Sequence, residues 1–242
     1  QELAKMIQAQ GAVFGTYAEG AYTQFLQSGH PALVTAQQFA GWTQKALSKK
    51  MIKELNQLYG SFPGKYMATD DGKLAVARLQ FGNVALLPQV MAGVGGDSFK
   101  IVHGTDQAPP YTYVASYLWA RYGFSADALI HFGTHGSLEY TPRKQVALDS
   151  NDWSDRLIGV VPHLYIYTIG NVGEAMIAKR RTYAQTQSYL TPPFKESELR
   201  QTYKQLSDAI QSYEKKASAE QSLKVKALTV KMGIARELGL DA

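Results

Sequence analysis

Two short apolar runs, Phe99-Lys100-Ile101-Val102 and Ala126 to Phe132, stand on either side of a helical stretch opened by Pro109-Pro110. Proline suits a first helical turn, where its missing N–H has no partner to lose. Val114, Tyr117 and Leu118 then keep helical spacing up to Gly123. Strand, helix and strand within roughly 30 residues make a βαβ unit, and such a crossover implies parallel pairing. A helix around Asp152 to Ile158 leads to a third strand, Leu164-Tyr165-Ile166-Tyr167-Thr168. Asn171-Val172-Gly173-Glu174 then caps another helix running through Ala184. The fold class expected is α/β: a mainly parallel sheet with flanking helices, plus helical segments at both ends.

The N-terminal segment from Glu2 to about Tyr59 reads as helical, with Thr35-Ala36-Gln37-Gln38 as a capping box. Gly60 and Pro63-Gly64 end it. Asp70-Asp71-Gly72 signals a hairpin between Tyr66-Met67-Ala68 and Leu74-Ala75-Val76-Ala77, and Asn83 to Leu87 reads as a further strand. Gly93-Val94-Gly95-Gly96-Asp97 is a mobile loop or a phosphate cradle, without the Lys-Ser/Thr of a P-loop. Beyond Thr191-Pro192-Pro193 the pattern changes to long charged helices, from about Glu196 to Lys216 and, capped by Ser218, to near Gly239. The organisation expected is therefore a helical segment over 1–60, an α/β core over 61–194 and a helical hairpin over 195–242.

Composition narrows the chemistry. The chain has no cysteine, so any metal must be held by His and carboxylate rather than thiolate. The net charge of +5 is spread along helices and mixed with acids, which does not favour nucleic acid as a partner. No apolar run approaches the roughly 18 residues of a membrane span. The chain opens on Gln1 and ends on Ala242 at what reads as the close of a helix. It is expected to be a piece of something longer, whose missing parts could carry a signal or anchor. A cytoplasmic location is the expectation, with the cell envelope as the alternative.

In open parallel sheets, ligands bind beyond the carboxyl ends of the strands, where loops and helix N-termini converge. His103 follows one such strand and His131 closes another. His131, His135 and Glu139 are spaced four apart in the loop His131-Phe132-Gly133-Thr134-His135-Gly136-Ser137-Leu138-Glu139. Two imidazoles and a carboxylate are a common set for divalent first-row metals. Phe132 occupies the place of the general base in the zinc-protease helix motif, and Gly133 and Gly136 argue against a helix here. The alternative is that His131 is a half-buried, hydrogen-bonded residue and Glu139 simply begins a helix. Glu174 is a catalytic candidate that a capping role explains as well. Lys179-Arg180-Arg181 is the densest basic run, but successive helical residues fan over about 200°, so only one or two can face a ligand. Arg143 and Lys144, just past the histidine loop, are better placed to meet an anion. Tyr165, Tyr167 and Trp153 read as core or pocket wall, and His163, at a strand's start, as structural.

The run from Ala126 to Glu139 resembles the large, porphyrin-binding subunit of cobaltochelatase and magnesium chelatase. So do Trp153-Ser154-Asp155, Leu157-Ile158-Gly159, Pro162-His163-Leu164-Tyr165, Asn171-Val172-Gly173-Glu174, Ala178-Lys179-Arg180-Arg181 and Leu190-Thr191-Pro192-Pro193, in the same order. The resemblance implies a tetrapyrrole (haem, porphyrin or corrinoid precursor) as substrate and a divalent metal, Co, Mg or Fe. ATP would act only through a partner ATPase subunit. It implies that His131, His135 and Glu139 line the place where metal and macrocycle meet. Pro142-Arg143-Lys144 departs from the family's usual Pro-Gly-Lys, and the block Phe99 to Asp106 resembles a haem-acquisition branch implicated in removing iron.

On this reading His131 and His135 bind metal, while Glu139, with Glu174 as a further candidate, exchanges protons with the pyrrole nitrogens. His103, Arg143, Lys144, Lys179, Arg180 and Arg181 are the candidates for holding the macrocycle and its propionates. The expected function is a chelatase-type catalytic region, inserting a divalent metal or removing iron. The alternatives are a non-catalytic haem or porphyrin carrier, and a scaffold that docks an ATPase through the C-terminal helices.

Overall fold

A computed structural model describes residues 29–90, 92, 107–133, 136–166, 172–188 and 198–234. The expected strand at Phe99 to Val102, the glycine-rich loop and the helical reading of residues 1–28 lie outside the described residues. By internal contacts the chain divides into two compact units, 1–190 and 191–242. No helix among the described residues is long and apolar enough to cross a membrane.

The first described element corrects the all-helical reading of the N-terminal segment. Ala32–Val34 is a strand, β1, paired antiparallel with β2, Leu74–Val76. Pro31 and the branched Val34 favour extended backbone, and the partner strand lies about forty residues on, out of reach of any local pattern. Helix α1, Ala36–Ala46, begins where the capping box stands: the Gln38 amide donates to Thr35 Oγ1 at 3.2 Å, and the Thr35 amide donates to Gln38 Oε1 at 3.0 Å. Ser48 caps α2, Lys49–Tyr59, and Gly60 closes it at a φ of 76° that a side chain would disfavour. The Asp70-Asp71-Gly72 turn forms between Thr69 and Lys73, with the Thr69 amide donating to the Lys73 carbonyl at 2.8 Å. Strands β3, Leu79–Phe81, and β4, Val84–Leu86, make a separate hairpin.

Helix α3, Tyr111–Leu118, takes Pro110 as its N-cap and ends in a π-type turn, Trp119–Gly123. It is the centre of the apolar core: Tyr113, Val114, Ala115 and Leu118 are wholly buried among Phe39, Met51, Leu55, Leu74, Trp153 and Leu157. Phe39 stacks on Phe62 at 4.6 Å, and Tyr111 meets Phe62 edge-on at 5.6 Å.

The sheet that matters for function is three-stranded and wholly parallel, in the order β5-β6-β7. β5 is Leu129–Phe132, β6 His163–Ile166 and β7 Gln185–Gln187. Helix α4, Trp153–Ile158, lies between β5 and β6 in the chain, and α5, Val172–Thr182, between β6 and β7. The α/β fold with a parallel sheet is therefore as expected, with β7 an added strand: its polar Gln-Thr-Gln carries no apolar alternation. Since all three strands run the same way, the loops after Phe132 and Ile166 leave one edge of the sheet.

In the C-terminal unit, α6, Glu198–Lys215, packs on α7, Ala219–Lys231, which begins where Ser218 Oγ accepts from the Gln221 amide at 3.2 Å.

Candidate functional site

Register brings the site together. His131 on β5 pairs with Tyr165 on β6, and their rings lie 4.9 Å apart, tilted by 37°. His163, two residues before Tyr165, shares that face because strand side chains alternate; its ring is 6.3 Å from His131 and 6.3 Å from Tyr165. Past the strand, the Gly133 amide donates to the Ile166 carbonyl at 3.2 Å, extending the ladder by one residue. The chain then folds back: the Gly136 amide donates to Tyr165 Oη at 2.6 Å. Gly136 has to be glycine here. A Cβ on it would stand 2.7 and 2.8 Å from the carboxylate oxygens of Glu139 and 2.9 Å from His131 Cε1.

A short 3-10 turn, Leu138–Tyr140, carries Glu139 into the interior. The turn is tied down on every side. Ser137 Oγ lies 2.8 Å from Tyr113 Oη and accepts from Gln89 Nε2 at 2.7 Å, while Thr141 Oγ1 donates to the Leu138 carbonyl at 2.7 Å. Arg181 reaches across from α5 and donates to the carbonyls of Glu139 and Pro142. Its guanidinium thus holds backbone, and the residue is 1% exposed.

Tyr165 is the hub. Its Oη is 3.0 Å from Glu139 Oε1 and 3.0 Å from Glu174 Oε1, the latter projecting from the first turn of α5. Both carboxyl groups are buried, Glu139 at 0% and Glu174 at 1% exposure. A phenol has a single proton, so it donates to one carboxylate at a time. Burial pushes the Glu139 carboxyl above the usual carboxylate range. Burial, and then the two carboxylates, raise the Tyr165 phenol far above its ordinary value and keep it neutral. Glu139 Oε2 is buried without a hydrogen-bond partner among the described residues. The arrangement is a desolvated pair of oxygen acids joined through a hydroxyl, which suits the taking up and giving back of protons.

His163 is also buried. Its Nδ1 lies 3.2 Å from the Thr182 carbonyl, which can only accept, so Nδ1 carries the proton and Nε2 does not. Burial lowers its pKa below the ordinary imidazole value.

Of the residues singled out in the sequence, the fold gathers His131, Glu139 and Glu174 around Tyr165. His103 and His135 lie outside the described residues. Arg143 is ion-paired with Glu54 of α2, and Lys144 with Asp149 at 2.8 Å. Lys179 and Arg180 are exposed on α5. Among the described residues, no three His, Asp or Glu side chains are grouped to hold a metal ion. The residue that sequence reasoning missed is Tyr165. In the sequence it has the character of a core aromatic, and only the pairing of β5 with β6 reveals that its hydroxyl lies at the strand ends.

Comparison with known proteins agrees with this geometry. A family described as CobN/Magnesium Chelatase matches residues 1–242. The large magnesium-chelatase protein of Rhodobacter capsulatus, its H component, is 41% identical over 163 residues, covering 67% of this chain and 13% of that protein. The aerobic cobaltochelatase protein CobN of Pseudomonas aeruginosa is 39% identical over 128 residues, 53% of this chain and 10% of its own length. An uncharacterized protein of Methanocaldococcus jannaschii is 36% identical over 168 residues, 69% of this chain and 14% of that protein. The chain belongs to the CobN/magnesium chelatase family. It spans about an eighth of the length of the first of these relatives.

Proposed function

We propose that this chain is the proton- and metal-exchange region of a tetrapyrrole chelatase, taking a divalent metal into the macrocycle or out of it. The observation that carries the reading is the buried Glu139–Tyr165–Glu174 cluster beside His131, at the edge where a parallel α/β sheet binds its ligands. Metal exchange in a tetrapyrrole moves two pyrrole protons for each divalent ion. A buried carboxyl whose pKa is raised is suited to take and return them. In this reading His131 and His135 hand over the metal, and Glu139 meets the protons. Two relatives carry magnesium and cobalt in their names, which makes Mg²⁺ and Co²⁺ the first ions to try for insertion. Removal of iron from haem is the reverse direction through the same groups.

Lys179 and Arg180, exposed on α5 within about two turns of Glu174, supply cations for the macrocycle's carboxylates. ATP hydrolysis, where it drives exchange, belongs to a separate ATPase docked on the full-length protein.

The test is made on that full-length protein. It is incubated without oxygen with haem, and separately with metal-free porphyrin plus Co²⁺ or Mg²⁺, while absorbance follows the macrocycle. The His135→Ala variant is expected to lose metal transfer and keep tetrapyrrole binding. Normal transfer by that variant overturns the assignment. A wild-type protein that holds haem with a stable spectrum and never changes its metal is a carrier instead.

A further inference from the structure

Tyr165 touches both buried carboxylates with one hydroxyl group, and this has a consequence for how two protons are handled at a single site. The phenol oxygen already accepts from the Gly136 amide at 2.6 Å, so it is held in place rather than free to swing between its acidic neighbours. Glu139 Oε1 and Glu174 Oε1 sit at the same 3.0 Å from it. Glu139 engages Tyr165 through Oε1 and leaves its buried Oε2 without a partner among the described residues. The Tyr165 ring cannot retreat either, since it is wholly buried and packed against His131.

Resting on the chelatase reading above, we infer that Tyr165 is a positioning residue that relays a proton between Glu139 and Glu174, so that the pair takes both pyrrole protons in turn. The first proton leaves a pyrrole N–H and reaches Glu139, where an O–H bond forms. That carboxyl group donates to Tyr165 Oη as the phenol passes its own proton to Glu174. Tyr165 is neutral before and after, Glu139 is a carboxylate again, and Glu174 is a carboxylic acid. Glu139 then takes the second proton. No electrons move: two N–H bonds break and two O–H bonds form for each divalent metal entering the ring. Run backwards, the same unit delivers two protons to the nitrogens that a departing metal leaves.

A relay and a mere packing role differ in what mutation does. Removing the hydroxyl in Tyr165→Phe leaves the ring against His131 but breaks the link, and Glu174→Gln removes the terminal acceptor. Both variants of the full-length protein are expected to slow single-turnover metal exchange, by about 10²- to 10⁴-fold for a lost proton-transfer path, with the tetrapyrrole dissociation constant unchanged. The double variant is expected to be no slower than either single one, because residues acting as one unit do not add. Multiplying effects in the double variant, loss of tetrapyrrole binding in Tyr165→Phe, or wild-type rates in either single variant overturn the relay while leaving the chelatase reading intact. A wild-type protein that exchanges no metal with either haem or porphyrin overturns both.

Discussion

The aromatic core around α3 and the cluster at the ends of β5 and β6 are both fully buried, yet they are built on opposite principles. Phe39, Phe62, Tyr111, Leu118 and Trp153 exclude water and gain by it, since burial of apolar area and close packing are favourable together. Glu139, Glu174, His163 and Arg181 are buried against their preference for water. They are held by a few directed bonds through Tyr165 Oη, the Thr182 carbonyl and the carbonyls of the 138–142 turn. The Ser137 hydroxyl, bonded to Tyr113 of the core, couples the two regions. The core thus supplies the stability against which a desolvated, polar site is maintained.

Substitutions that hit one region and spare the other sharpen the contrast. The largest effect on stability is expected from Trp153→Ala. It removes a wholly buried indole from the core, at a loss of about 3–5 kcal/mol measurable by urea unfolding. A loss below about 1 kcal/mol would show that the core tolerates collapse there and would weaken the comparison.

Gly136→Ala comes next, and its effect falls on function. The new methyl group meets the Glu139 carboxylate and His131 at under 3 Å. Displacing reacting groups by about 1 Å is worth roughly 10²-fold in rate. Metal exchange is expected to fall by that factor while the unfolding midpoint moves little. Unchanged exchange would mean that the carboxylate and imidazole have room that the geometry does not show.

The smallest effect is a pH slope. The folded state holds His163 below its ordinary pKa, so below about pH 6.5 the unfolded chain binds a proton that the folded one does not. Stability from this group is complete above that pH and is lost as the pH falls, by at most about 1.4 kcal/mol per unit. Glu139 acts with the opposite sign, because its raised pKa favours the folded state as the pH falls toward the ordinary carboxylate value. The difference between wild type and His163→Asn, compared by unfolding at about pH 7.5 and about pH 5.5, isolates the histidine. A variant with the wild-type pH dependence would place the slope elsewhere.

Much of the architecture is legible in the sequence, and for local reasons. Capping at Thr35 and Ser218 depends on side chains three residues from the amides they serve. Parallel pairing follows from strands alternating with helices, and the placing of His131 at a strand's carboxyl end follows from that. The basic residues after the histidine loop are less legible. Arg143 and Lys144 read as anion contacts, while in the fold Arg143 pairs with Glu54, far back in the chain. The run Lys179-Arg180-Arg181 divides into two exposed cations and one buried clamp, a split that depends on which side of α5 faces the 138–142 turn.

By itself the sequence determined the kinds of element, their order, the polar loop that closes β5, and membership in the chelatase family. All of these rest on neighbours within a few residues or on motifs in sequence order. Only the tertiary structure decided that Glu139 and Glu174 share one hydroxyl, with Tyr165 lying 26 residues from the first and 9 from the second. Spacing patterns carry no information about which distant groups lose their water together. That is set where parallel strands deliver His131, Tyr165 and the start of α5 to one edge. The histidine loop after β5 is thus half of the site, and the other half comes from β6 and the helix that follows it.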